Sequence, residues 1–171
     1  VTFDTTGGNA ITAQKVKYQE TVVTPPTPTR VGYTFAGWTP SITTAITKDT
    51  KFTASWTLNS YTVTFNSDGG STVESQTINH GGKVVVPPNP TRVGYSFTGW
   101  SPAIGTTITG PRTFTAQWSI NSYTVTFNSN GGSAVSSQTI NHGGKVVVPT
   151  NPTRTGYTFT GWSPVIGTTI T

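Results

Sequence analysis

Cysteine and methionine are absent from these 171 residues, and acids are scarce, five Asp and Glu standing against ten Lys and Arg. Without cysteine there is no disulfide, no thiolate nucleophile and no Cys-based metal site. That absence is compatible with an extracellular life, in which each small domain must then hold together by its core alone. Residues 123–171 contain no Asp or Glu at all, which excludes paired-carboxylate catalysis and a Ser-His-Asp triad within that stretch. No run approaches the roughly 20 apolar residues that a membrane-spanning helix needs, so membrane insertion is not expected. Charged residues make up 9% of the chain, and no basic tail or cluster concentrates enough cations to neutralise many phosphates. The net charge of +5 divides as +2 over residues 1–60, +1 over 61–122 and +2 over 123–171. The pI near 9.7 therefore reflects missing acids more than a cationic patch, and nucleic acid is not an expected partner. No cofactor-binding motif is present.

What the chain does have is a repeat. Residues 61–122 restart at Tyr123, and the same 62-residue register read backwards reaches Val1 without a gap. The second and third copies agree at 42 of 49 comparable positions, the first and second at 30 of 60. A period of this length signals an array of small modules, here 1–60, 61–122 and 123–171. The third copy stops 13 residues short of a full period, which would contain the counterpart of Phe114 to Trp118. A module of about 60 residues buries only roughly 60% of the surface its unfolded chain exposes. With no disulfide to help, its core must come from five Trp, six Tyr and eight Phe, most of which recur at equivalent positions.

Within the second copy, Tyr61, Val63 and Phe65 alternate with Thr62 and Thr64, the period-two pattern of a half-buried strand. Asp68-Gly69, and Asn130-Gly131 one copy later, supply the positive φ that a tight hairpin needs. A second strand is expected through Val73, Gln76 and Ile78, then a turn at Asn79-His80-Gly81-Gly82. Lys83 to Val86 forms a short β-branched run, after which Pro87, Pro88 and Pro90 rule out a central strand or helix. Strand character returns at Gly94 to Trp100 and again at Phe114 to Trp118, where Phe114, Ala116 and Trp118 share one face. No window offers a helix, because Gly and Pro interrupt too often. Between modules lie only Thr57-Leu58-Asn59-Ser60 and Ser119-Ile120-Asn121-Ser122. These are predicted to be short, semi-rigid tethers whose Leu58 and Ile120 pack against a module end, each module owning its core.

The succession YTVTFNSDGG, GGK, NPTRVGYSFTGW and FTAQW resembles the internalin B-repeat, or Listeria–Bacteroides repeat, of bacterial surface proteins. The resemblance runs through every copy. It implies a small β-grasp-like module found in tandem in secreted or wall-attached proteins, commonly beside adhesion domains. The connection from Trp100 to Phe114 is short and rich in Thr and Gly, which leaves little room for the helix of a full β-grasp. The expected architecture is thus mainly β, three β-grasp-like modules with little or no helix.

Two groups of residues are candidates for more than folding. Arg30, Arg92 and Arg154 recur in the PTR element, and Lys83 and Lys145 after the Gly-Gly turn. Cations repeated at a fixed period are able to bind a polyanion such as a glycosaminoglycan or teichoic acid through avidity, while the competing reading is solubilising charge. Exposed rings at Tyr95 or Trp100 would stack on sugars, whereas buried ones stabilise a tiny domain. Phe65, Tyr95, Phe97, Trp100, Phe114 and Trp118 are read as structural core. His80 and His142 lack companions for a metal site and read as solvated turn residues. The expected function is a non-enzymatic spacer or stalk of a bacterial cell-surface or secreted protein, with neighbouring repeats as its partners. The alternative is an adhesive module for host or envelope polysaccharide. A third module that lacks its closing strand would also expose an edge able to take a strand from another molecule.

Overall fold

The computed structural model describes residues 1–171, and it contains strands and turns but no helix. The chain clusters into two compact units. One comprises 1–64, 74–86 and 104–113; the other comprises 65–73, 87–103 and 114–171. The middle repeat contributes to both.

The first repeat lies wholly in the first unit and shows the plan of one module. Its strands are β1 (Thr2–Asp4), β2 (Tyr33–Thr39) and β3 (Lys51–Leu58), in the order β1-β3-β2. β1 runs parallel to β3 with Phe3 opposite Phe52, and β2 runs antiparallel to β3 with Phe35 opposite Trp56. The alternation in β3 puts Phe52 and Ala54 inside, Phe52 being fully buried. Val22 and Ile46 close over Phe52, and Val1, Phe3, Val16, Trp38 and Ile42 pack around them. Phe3 stacks on Phe52 with ring centroids 5.5 Å apart and meets the edge of Trp38 at 5.2 Å.

A bulge at Ala36 explains how Phe35 and Trp38, three residues apart in a strand, reach the same face. The register slips between Phe35 and Gly37, and the two rings meet at 5.3 Å. Gly37 stands at φ 137°, a conformation that glycine enters without steric cost. The second repeat repeats the slip between Phe97 and Gly99, with Phe97 and Trp100 at 5.4 Å.

The second sheet contains β4 (Ser60–Asn66), β5 (Gln76–Asn79), β6 (Tyr95–Ser101) and β7 (Arg112–Ile120), ordered β5-β4-β7-β6. In the first unit Tyr61 of β4 faces Ile78 of β5. In the second unit Phe97 of β6 faces Trp118 of β7, and Phe65 stacks on Phe114 at 5.8 Å. The third repeat retains only β8 (Ser122–Val125) and β9 (Gln138–Asn141).

Several expectations need correction. The run from Lys83 to Val86 forms no strand, and Val73 lies outside β5. The Gln76 amide joins the two arms instead: its Nε2 donates to Val85 O at 2.7 Å and its Oε1 accepts from Val85 N at 3.0 Å. The same pair of hydrogen bonds ties Gln14 to Val23 and Gln138 to Val147. The tethers are also shorter than predicted. β3 runs to Leu58 and β7 to Ile120, so that Asn59 and Asn121 are the only residues between consecutive strands. Leu58 and Ile120 end those strands in register with Tyr33 and Tyr95, and both remain 39% exposed.

Candidate functional site

The recurring Arg begins at the hairpin turn. Asn66 to Gly70 folds back because Asp68 and Gly69 take positive φ, 48° and 84°, and the Asn66 carboxamide accepts from the Asp68 N–H at 3.0 Å. Above this turn Arg92 donates to Asp68 O at 2.8 Å, with the Asp68 carboxylate 3.7 Å away. The face of its guanidinium lies 4.0 Å from the Tyr95 ring centroid, a cation–π geometry. The third repeat reproduces this with Arg154, which donates to Asn130 O at 2.9 Å and sits 3.9 Å over Tyr157. In the first, Arg30 sits 3.9 Å over Tyr33 and against the turn glycine Gly7. A flat, permanently charged group suits this place, because it satisfies a turn carbonyl and a ring face at once.

Under the same turn lies Trp118. Its indole N–H donates to Ser67 O at 3.0 Å, and its ring meets Phe97 edge-on at 5.5 Å. Gly70 leaves room for it: a Cβ built there would stand 2.5 Å from Trp118 Cζ2. Trp56 repeats the arrangement with Gly8 and Thr5 O in the first repeat. Phe65 and Phe114 are buried, while Tyr95, Phe97, Trp100 and Trp118 are half-buried. The Trp100 ring meets Phe65 and Phe97 on edge at 5.2 and 5.4 Å.

The corresponding region of the third repeat is a cavity of about 380 Å³, whose walls include Asn130, Gly132, Arg154, Tyr157, Phe159 and Trp162. Gly132, Arg154 and Phe159 correspond, 62 positions on, to Gly70, Arg92 and Phe97, which surround Trp118. Its walls mix aromatic rings with polar turn residues.

The lysines are placed differently. Lys83 and Lys145 are exposed in the segments after their Gly-Gly turns. Lys83 and Arg112 belong to the first unit, and Arg112 donates to Thr106 Oγ at 3.1 Å. Arg92 and Arg154 belong to the second.

The two histidines, read from sequence as solvated, are half-buried at the joins between repeats. His80 packs against Gly32, and His142 against Gly94, so closely that a Cβ on either glycine would overlap the imidazole. Both glycines also stand at φ near 80°, 79° and 77°. The sequence clue was available: each His follows Asn in a turn with Gly-Gly, and each Gly precedes Tyr. Only a fold tells which Gly meets which His. Tyr18, which occupies the same position in the first repeat, is 71% exposed.

The Lys51 ammonium, 2.7 Å away, and then the Thr6 N–H hold the Asp4 carboxyl below the usual carboxylate value.

Compared with known families, the chain matches the Listeria–Bacteroides repeat domain three times, at residues 1–60, 61–121 and 123–168. Among curated proteins it is 31% identical over 180 residues to a protein of Evansella cellulosilytica described as a Gly-rich membrane protein, covering 95% of this chain and 21% of that protein. A second protein of the same organism, described as a membrane protein, is 32% identical over 180 residues, covering 95% of this chain and 27% of its own length. Internalin H of Listeria monocytogenes is 35% identical over 108 residues, covering 57% of this chain and 19% of that protein. The chain thus spans 19% to 27% of the length of these relatives. No solved structure matches it.

Proposed function

Because this chain belongs to the Listeria–Bacteroides repeat domain family, we propose that it is a non-enzymatic structural repeat region of a bacterial cell-surface or secreted protein, a spacer that supports adhesion by other parts of that protein. One observation carries the reading. The most regularly repeated cation, the PTR arginine, is engaged inside its own repeat, on a turn carbonyl in the second and third copies and on a tyrosine face in all three. Such contacts give the arginine a role in stabilising its own module, although Arg154 remains exposed. The Trp118 indole is likewise engaged, by Ser67 O.

The modules follow a β-grasp-like plan, in which the parallel pair β1–β3 flanked by antiparallel β2 supports the reading. The loop from Pro40 to Thr50 takes the place of a helix, and its Ile46 reaches the core. An envelope location is supported by the membrane proteins and the internalin among the relatives. No helix here is long and apolar enough to cross a membrane.

The adhesive alternative rests on Lys83 and Lys145, which are exposed at equivalent positions. The chain and its Lys83→Ala, Lys145→Ala double variant are to be passed over immobilised heparin and a polysaccharide panel across a salt series. The spacer reading expects no retention at low salt. Micromolar retention by the parent chain, lost in the lysine variant, would overturn it in favour of adhesion. The lysines are the informative probes, because replacing Arg92 would disturb the turn itself.

A further inference from the structure

The joins between repeats are built alike in detail. In the first unit the Asn59 N–H donates to Gly32 O at 2.9 Å, its Oδ1 accepts from Thr34 Oγ at 2.6 Å, and its carbonyl accepts from the His80 N–H at 2.8 Å. In the second unit Asn121 bonds Gly94 O at 2.8 Å, Ser96 Oγ at 2.7 Å and the His142 N–H at 2.8 Å in the same roles. A single residue thus satisfies one group of the later repeat and two of the earlier. The imidazole of the later repeat then fills the space beside the glycine α-carbon of the earlier one. Tyr61 Oη lies 3.4 Å from His80 Nδ1 on its far side. The thirteen residues that carry this socket in the second repeat, Pro90 to Pro102, recur at 152–164 with only Val93 and Ser96 changed, both to Thr.

There the surroundings differ. Gly156 stands at φ 77° and is exposed, with no heavy atom within 4 Å of the place a Cβ would take. Tyr157 is 67% exposed, whereas Tyr33 and Tyr95 are half-buried. Thr158 offers the hydroxyl that Thr34 and Ser96 use on the linker Asn.

We infer that Gly156, Tyr157 and Thr158 form the acceptor half of a keyed joint, and that its occupant is another repeat of this type bearing Asn at the linker and His in its second turn. The inference rests on the structural-repeat reading above and adds a rule of direction. Each glycine socket takes the imidazole of the repeat that follows it. A repeat with Tyr at the key position, like the first, does not engage, since a phenol ring extends beyond the slot that an imidazole fills.

The test appends a copy of residues 110–171 after Thr171, which completes the third repeat and supplies the Asn and His of a fourth. The Gly α-proton resonances are then read by NMR, because a ring this close displaces them. In the unextended chain His142→Ala should move the Gly94 resonances and leave Gly32 unchanged, and protection of the Asn121 amide from exchange should fall, because the backbone bonds remain but the ring that covers the joint is gone. In the extended chain Gly156 should shift as Gly94 does. It should not shift when the counterpart of His142 in the appended copy is alanine or tyrosine. A Gly156 signal that stays put with the histidine present, while Phe159 and Trp162 acquire the shifts of Phe97 and Trp100, would overturn the joint. So would unchanged Gly94 resonances in His142→Ala, which needs no extension. Polysaccharide binding addresses the spacer reading alone, so the two fail separately.

Discussion

Replacing Trp118 by alanine is expected to remove most of the stability of the second repeat. Truncating a buried Phe or Trp to Ala costs about 3–5 kcal/mol, and Trp118 is half-buried, which places its share near the lower bound, about 3 kcal/mol. The indole N–H to Ser67 O bond at 3.0 Å adds about 1 kcal/mol. The loss of about 4 kcal/mol compares with the roughly 3–5 kcal/mol that a domain of this size commonly has in total. Trp118→Phe keeps the edge contact with Phe97, now at 5.5 Å, while losing the donor and part of the area, so it should cost about 1–2 kcal/mol. Denaturant unfolding combined with residue-resolved hydrogen exchange measures both, and the loss should show first at Gly70, Phe97 and Ala116. A cost below about 1 kcal/mol for Trp118→Ala would refute the reasoning, because it would mean that the ring contributes no more than an exposed side chain.

Two further outcomes test the geometry. Gly70 lies outside the left-handed region, so Gly70→Ala isolates the overlap with Trp118 Cζ2 and should cost about 1–3 kcal/mol. Gly132→Ala, where the nearest atoms are backbone oxygens at 3.1 and 3.2 Å and no indole, should cost less; equal losses in unfolding experiments would contradict the assigned role. For Asp4, the folded-state pKa is lowered, so its contribution is present above the unfolded value near 3.9 and is lost as pH falls through the folded value. An NMR titration should find its midpoint below the ordinary Asp range, and Lys51→Met should raise it; no movement would show that the ion pair at 2.7 Å does not hold the carboxyl.

The sequence by itself determined the repeat, the turns, the absence of helix and the residues that alternate into the core, because these are properties of a local pattern. The 62-residue register was open to reading, whereas the bulge before the Gly of each Phe-x-Gly-Trp strand appeared only in the register of the paired strands. The role of Arg92 was not open to reading either. A cation in a PTR motif looks the same whether it reaches for a polyanion or for Asp68 O, and only the fold brings a turn 24 residues away beneath it. Asn59 and Asn121 were missed for the same reason: a linker asparagine becomes a clamp once a glycine carbonyl and a histidine amide arrive from two different repeats. Residues 157–162 make the division clearest. Tyr157-Thr-Phe-Thr-Gly-Trp162 differs from Tyr95-Ser-Phe-Thr-Gly-Trp100 at one position, yet the earlier segment is a strand beside β7 and the later one, without such a neighbour, is not. Side-chain alternation is written in the chain, but the hydrogen bonds that make a strand come from the segment next to it.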